Sequence, residues 1–231
     1  MAGKAYSGAM GTLYLVRHGQ ASFGAADYDQ LSSLGMRQSV RLGEYLAHKG
    51  IVFEAALCGT LQRHLQTYAG IAQGAGLALQ PQLWPGLNEF DSEAVIAAIH
   101  PHPLERPTDP KDARQHFRLL RDGLAQWMAG VVSPQGMPRY DQFVQGVVSA
   151  LEHVRQHCSG NVLLVSSGGP ISTAVAHILG APPETSITLN LRIRNIAVTE
   201  MAFNPKRCEL LTFNTLAHLD GPDYADWVTY A

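Results

Sequence analysis

Apolar and polar positions fall in blocks along this chain, and the period changes from block to block. Leu13-Tyr14-Leu15-Val16 is a continuous apolar run that ends on Arg17-His18-Gly19. Four β-prone residues bounded by a glycine predict a buried strand followed by a sharp turn. After a loop from Gln20 to Ser33 the period lengthens. Met36, Val40, Gly43 and Ala47 share one helical line, with Leu42, Tyr45 and Leu46 beside it. A serine N-cap within Leu31-Ser32-Ser33 opens this helix and Gly50 closes it. A second apolar strand follows over 51–58, then a helix over 61–73 stopping at Gly74, then a short strand over 77–83.

From Ser92 to Arg139 the pattern shifts. A short apolar helix over 94–99 precedes a proline-broken loop over 100–110. Phe117, Leu120, Leu124, Trp127, Met128 and Val131 then recur at helical spacing, with Trp127 and Met128 facing the core. Phe143, Val147, Leu151 and Val154 mark a further amphipathic helix, and Val162 to Val165 reads as the most deeply buried strand. After Ser166-Ser167-Gly168-Gly169, Pro170 takes the first position of a helix that stops at Gly180. Strands over 196–203 and 209–213 flank Asn204-Pro205-Lys206 and predict a hairpin. The expected fold is α/β: a three-layer α/β/α sandwich with a mostly parallel central sheet, an antiparallel edge strand and a helical lid insertion. Residues 1–11 read as a flexible leader and 12–231 as one domain, with the lid over 92–139.

Length and charge narrow the function. The 231 residues suffice for a large core. A formal net charge of −2 lacks the basic footprint of a nucleic-acid binder, and no apolar run suits a membrane span. Cys58, Cys158 and Cys208 are an odd, scattered set, which suggests reduced thiols in a cytoplasmic protein and no zinc-ligand spacing. His100 and His102 lack a third partner, so no metal site is expected. The hairpin edge and the apolar lid would suit a homodimer.

The chemistry gathers at the first strand's end, where α/β proteins place their ligands. Arg17 offers a planar fork of donors for phosphate, and His18 a ring nitrogen able to attack phosphorus. On these residues the chain resembles the histidine phosphatase superfamily (the phosphoglycerate-mutase-like proteins), whose signature is Arg-His-Gly after the first strand. Cys58-Gly59-Thr60-Leu61-Gln62-Arg63-His64-Leu65-Gln66-Thr67 is similar to that family's second motif, in which serines precede Leu-x-Arg and Gln-Thr follows. The resemblance implies that His18 is phosphorylated transiently and that Arg17 and Arg63 clamp the phosphoryl group. Cys58 and Gly59 replace the usual serines, a change expected to touch packing more than catalysis. Glu89, in Leu87-Asn88-Glu89-Phe90, matches the family's acid, with Asp91 a competitor and helix capping an alternative use.

The fourth motif departs. Where the family carries a second histidine before Gly-Gly, this chain has Ser167. Ser167 and the Gly168 amide remain candidate phosphate donors, as do Gln20 and Ser22 in the loop after His18. Losing an imidazolium there would cost on the order of 2–4 kcal/mol by analogy with an oxyanion donor. That is about 30- to 1,000-fold in rate.

Gln20 stands where many relatives carry Glu, and the loop lacks the Asn of mutases. The lid also lacks the mutases' paired arginines; Arg106, Arg114, Arg118 and Arg121 near it read mainly as a solvated face. The expectation is a cofactor-independent phosphatase acting on a phosphorylated small molecule or phosphoprotein. Its rivals are a pseudoenzyme that binds a phosphorylated ligand and, third, a phosphoglycerate-mutase-like phosphotransferase. His48, His64 and His116 carry no argument.

Overall fold

In a computed structural model of the chain, the described residues are 10–22, 29–100, 102 and 110–230. Residues 1–9 of the expected leader, Phe23 and Gly24, and most of the 100–110 loop with Arg106 lie outside them. Six strands form one sheet: β1 (Gly11–Arg17), β2 (Phe53–Cys58), β3 (Gln82–Leu83), β4 (Asn161–Ser166), β5 (Val198–Asn204) and β6 (Arg207–Thr215). Their spatial order is β3-β2-β4-β1-β5-β6. The first four run parallel, and the β5–β6 hairpin closes one edge with β5 antiparallel to β1.

Strand alternation divides the core into two layers. Leu13, Leu15, Leu57, Val162 and Leu164 point to one face. Val16, Ala56, Cys58, Leu163 and Val165 point to the other. The second face packs on α1 (Ser33–His48) and α2 (Gln62–Ala75). The first packs on α3 (Ser92–Ala97), α4 (Pro110–Met128), α5 (Tyr140–His157), α6 (Gly168–Ile178) and α7 (Thr185–Asn190). The result is the expected α/β sandwich. Among the described residues no helix is long and apolar enough to cross a membrane.

Several expectations need correction. The α2 helix runs past Gly74 to a left-handed Gly76. Gly74 instead makes a close crossing, because a Cβ there would sit 2.1 Å from the Val40 carbonyl oxygen of α1. The α1 face against the core is Gly35, Gln38, Ser39, Leu42, Gly43 and Leu46, and Met36 is exposed. Ser32 does cap α1, accepting from the Gly35 amide. The third strand shrinks to two residues, since Pro81 has no N–H to give to a ladder. Pro170 occupies the third position of α6, still inside the turn where no amide partner is needed. Phe117 and Val131 are exposed; the buried line of α4 is Leu120, Leu124 and Trp127. The α7 helix has too few residues for periodicity to reveal it.

Candidate active site

Parallel strands release the chain at one level, and that is where the polar residues collect. Arg17 pairs with Ser166 across β1 and β4, and Cys58 pairs with Val165 across β2 and β4. Beyond those partners come His18, Ser167 and Gly59.

The backbone around His18 is held at every step. The His18 amide donates to the Ser166 carbonyl at 2.9 Å, and the Gly19 amide to Thr67 Oγ1 at 3.0 Å. The Gln20 amide donates to Gln38 Oε1 at 2.8 Å. The His18 carbonyl accepts from Asn195 Nδ2 and from the Ile196 amide, each at 3.3 Å. Ile196 is buried with φ of 57°, a left-handed conformation costly for a β-branched residue, and it delivers its amide from that conformation.

The His18 side chain is equally determined. Its Nδ1 lies 2.7 Å from the Gly19 carbonyl oxygen. A carbonyl only accepts, so Nδ1 carries the proton and Nε2 keeps a lone pair. Burial, followed by the charges of Arg17 and Arg63 and then His64, holds the ring well below the ordinary histidine value. The imidazole is therefore neutral near neutral pH.

Both arginines are buried beside it. Arg17 Nη1 donates to the Ile193 carbonyl at 2.6 Å. Arg63 sits in the first turn of α2, and its Nη1 pairs with Asp29 Oδ1 at 2.7 Å. The other Asp29 oxygen accepts from the Gln62 amide at 2.8 Å, so one carboxylate orients the arginine and caps the helix that carries it. Asp29 was not legible as a site residue; it lies 34 residues from Arg63 in a loop without periodicity.

Glu89 is half-buried against the start of α6, its Oε2 accepting from the Gly169 amide at 3.1 Å. A Cβ on residue 169 would meet Glu89 Oε1 at 2.1 Å, so a glycine is required for this approach. Burial raises the carboxyl above its ordinary value, against the Gly169 hydrogen bond and the charges of Arg63 and Arg17. Asp91 is the residue that caps α3, accepting from the Glu93 and Ala94 amides. The two carboxylates thus separate, one in the pocket and one on a helix end.

Ser167 is fully buried at the N-cap position of α6, yet it makes no capping bond. Its Oγ lies 2.6 Å from His64 Nε2. Gly168 opens α6 against Asn190. The Ser32 hydroxyl donates to Gln20 Oε1 at 2.8 Å, bracing the α1 cap, and the Ser22 amide donates to the Gln30 carbonyl at 2.7 Å. Cys58 lies beneath the pocket, but burial pushes its thiol up to about 12, so it is no competing nucleophile. A cavity of about 320 Å³ opens elsewhere, between Tyr14, Tyr45, Lys49 and His218, and none of these groups lines it.

Proteins of known structure share this fold. The chain shares its fold with Bacillus stearothermophilus YhfR, at 22% identity and a TM-score of 0.65 over 90% of this chain and 98% of that one. Phosphoglycerate mutase from Bacillus anthracis aligns at 18% identity and a TM-score of 0.63, covering 90% and 95%. A mycobacterial glucosyl-3-phosphoglycerate phosphatase aligns at 21% identity and 0.62, covering 89% and 99%. No curated protein sequence matches significantly. The model of the histidine phosphatase superfamily (branch 1) matches residues 13–216, which takes in most of β1 with the Arg-His-Gly at its end, the α2 arginine and the Gly-Gly turn. On that match, the chain belongs to the histidine phosphatase superfamily.

Proposed function

We propose that this protein is a phosphatase that hydrolyses a phosphomonoester through a phosphohistidine on His18. The observation that carries the reading is the bond from His18 Nδ1 to the Gly19 carbonyl, which leaves a lone pair on Nε2. Binding alone has no use for a fixed tautomer. A neutral, oriented ring between two arginines is what in-line attack on phosphorus requires.

In the first step Arg17 and Arg63 hold the phosphoryl oxygens. Nε2 bonds to phosphorus as the ester P–O bond breaks, and Glu89, protonated, gives its proton to the departing alkoxide. In the second step the Glu89 carboxylate takes a proton from water as the water oxygen bonds to phosphorus. The P–N bond then breaks, returning its electron pair to Nε2 and releasing phosphate. The raised carboxyl suits both roles.

The segment from Ser92 to Arg139 is the lid in this reading. Trp127 anchors it against Phe90, one residue beyond Glu89, with ring centroids 6.0 Å apart. Hydrolysis is favoured over a mutase reaction because the lid lacks paired arginines; Arg114, Arg118 and Arg121 of α4 are exposed.

The test is phosphate release from aryl phosphates, small phosphomonoesters and phosphopeptides by wild type and His18→Ala. We expect turnover by wild type and a loss of at least about 1,000-fold in the variant. Equal inertness of both across the panel overturns the reading in favour of a phosphate-binding protein.

A further inference from the structure

His64 stands out among the buried groups that the mechanism above does not use. It has no exposed surface, and its ring centroid is 5.8 Å from that of His18. Its Nε2 is 2.6 Å from Ser167 Oγ, and its Nδ1 has no hydrogen-bond partner among the described residues. A buried polar ring with one nitrogen orphaned is costly, and that cost points to a use for the other nitrogen's bond. The surroundings are cut to fit the ring: a Cβ on Gly59 would lie 2.1 Å from Nδ1 and 2.8 Å from Cε1. Ser167, meanwhile, gives up the helix capping its position invites. Gly59 after β2, His64 in α2 and Ser167 between β4 and α6 are thus committed to one hydrogen bond at the edge of the phosphoryl pocket.

The direction of that bond decides what the pocket offers. A hydroxyl has one proton to give and lone pairs to receive with. If Ser167 spends its proton on Nε2, it faces a phosphate dianion with lone pairs alone, which is repulsive. If Nε2 carries the proton and donates to Oγ, the Ser167 proton is released toward the phosphoryl oxygen. We propose that His64 is a positioning residue that acts through Ser167: donating from Nε2, it turns the serine hydroxyl into a fixed donor to the transferring phosphoryl group. The pair does together what a single histidine at position 167 would do, with the imidazole housed on α2 instead of after β4. Burial and then the Arg63 charge push the His64 ring down to about 3, so the pair works as an uncharged donor.

This inference rests on the phosphoryl-transfer reading, and its test separates the two. Turnover of an aryl phosphate is compared for wild type, His64→Ala, Ser167→Ala and the double variant. Each single change should lower kcat about 30-fold with KM within about three-fold, as loss of a transition-state donor does. The double should fall little further, because both remove the same donor. His64→Gln, which keeps a side-chain N–H, should recover part of the loss, and Ser167→His combined with His64→Ala should recover more. His64→Ala at wild-type rate, or losses that multiply in the double, overturns the inference while leaving the phosphatase intact.

Should wild type be inert, the phosphatase reading fails alone and the tautomer decides. In ¹⁵N-histidine spectra of the wild-type protein with inorganic phosphate, His64 should carry its proton on Nε2. A proton on Nδ1 with phosphate bound, or no phosphate binding at all, overturns the inference. The spectra also decide the matter if the His64 variants do not fold.

Discussion

The chain contains two Arg-His dipeptides at the pocket, Arg17-His18 at the end of a strand and Arg63-His64 in the first turn of a helix, and their surroundings set them apart. At the strand end, the ring bonds a carbonyl, which permits one tautomer. In the helix, the ring bonds a hydroxyl, which permits either. The first histidine therefore has its tautomer fixed by the backbone, whereas the hydroxyl beside the second accommodates a proton on either ring nitrogen. The arginines differ in the same sense: Arg17 leans on a backbone carbonyl, Arg63 on a carboxylate that also caps its helix. Identical residue pairs acquire different roles from the partner each histidine meets.

The contrast can be broken most severely at Arg63. Arg63→Ala should lower kcat/KM by about 100-fold or more, and Arg63→Lys should restore only part, since an ammonium lacks the bidentate fork. Steady-state kinetics on an aryl phosphate checks this, and a Lys variant equal to wild type would remove the need for a fork. Acid comes next. His64 sits at about 3 in the folded protein against about 6.5 unfolded. The folded value is the lower, so between these values the unfolded chain holds more protons and stability falls as pH drops below 6.5. By pH 5 that amounts to about 2 kcal/mol, which His64→Gln should abolish in denaturant titrations. His218, also near 3 and buried beside Tyr45 of α1, should contribute similarly.

Gly59→Ala should lower Tm by about 5 °C, from overpacking of roughly 1–3 kcal/mol against His64. His64→Ala should relieve that clash in the double variant; a Tm unaffected by the first change would show that the ring has room to move. The smallest effect belongs to Asp29→Asn. Its carboxylate is about one-third exposed, so stability should change by less than about 1 kcal/mol while KM rises a few-fold.

Where local pattern decides, the sequence was readable. The apolar runs of β1 and β4, the serine cap of α1, and the Arg-His-Gly turn all follow from neighbouring residues. Arg17 and His18 could be named from the strand end and its glycine turn, and Arg63, Glu89 and Ser167 from the resemblance of their surroundings to the family's motifs. Asp29 and His64 could not, because each matters only through a partner far along the chain, Arg63 in one case and Ser167, 103 residues away, in the other. The departures at Gly59 and Ser167 were visible as separate oddities. Only the fold makes them one change, with the imidazole of His64 between them. The helix line of α1 misled for a related reason: small residues face α2 there, and apolarity is a poor guide where two backbones nearly touch.

The space at Gly59 also imposes a sequence of events on any attempt to rebuild this pocket. A side chain at 59 and an imidazole at 64 cannot coexist without something shifting. Installing the histidine on α2 of a chain that carries serine at 59 would cost stability unless the glycine came first, and restoring a side chain at 59 here costs least once the histidine has left. The three positions are therefore coupled in stability, so varying them together samples combinations that single changes would each penalise.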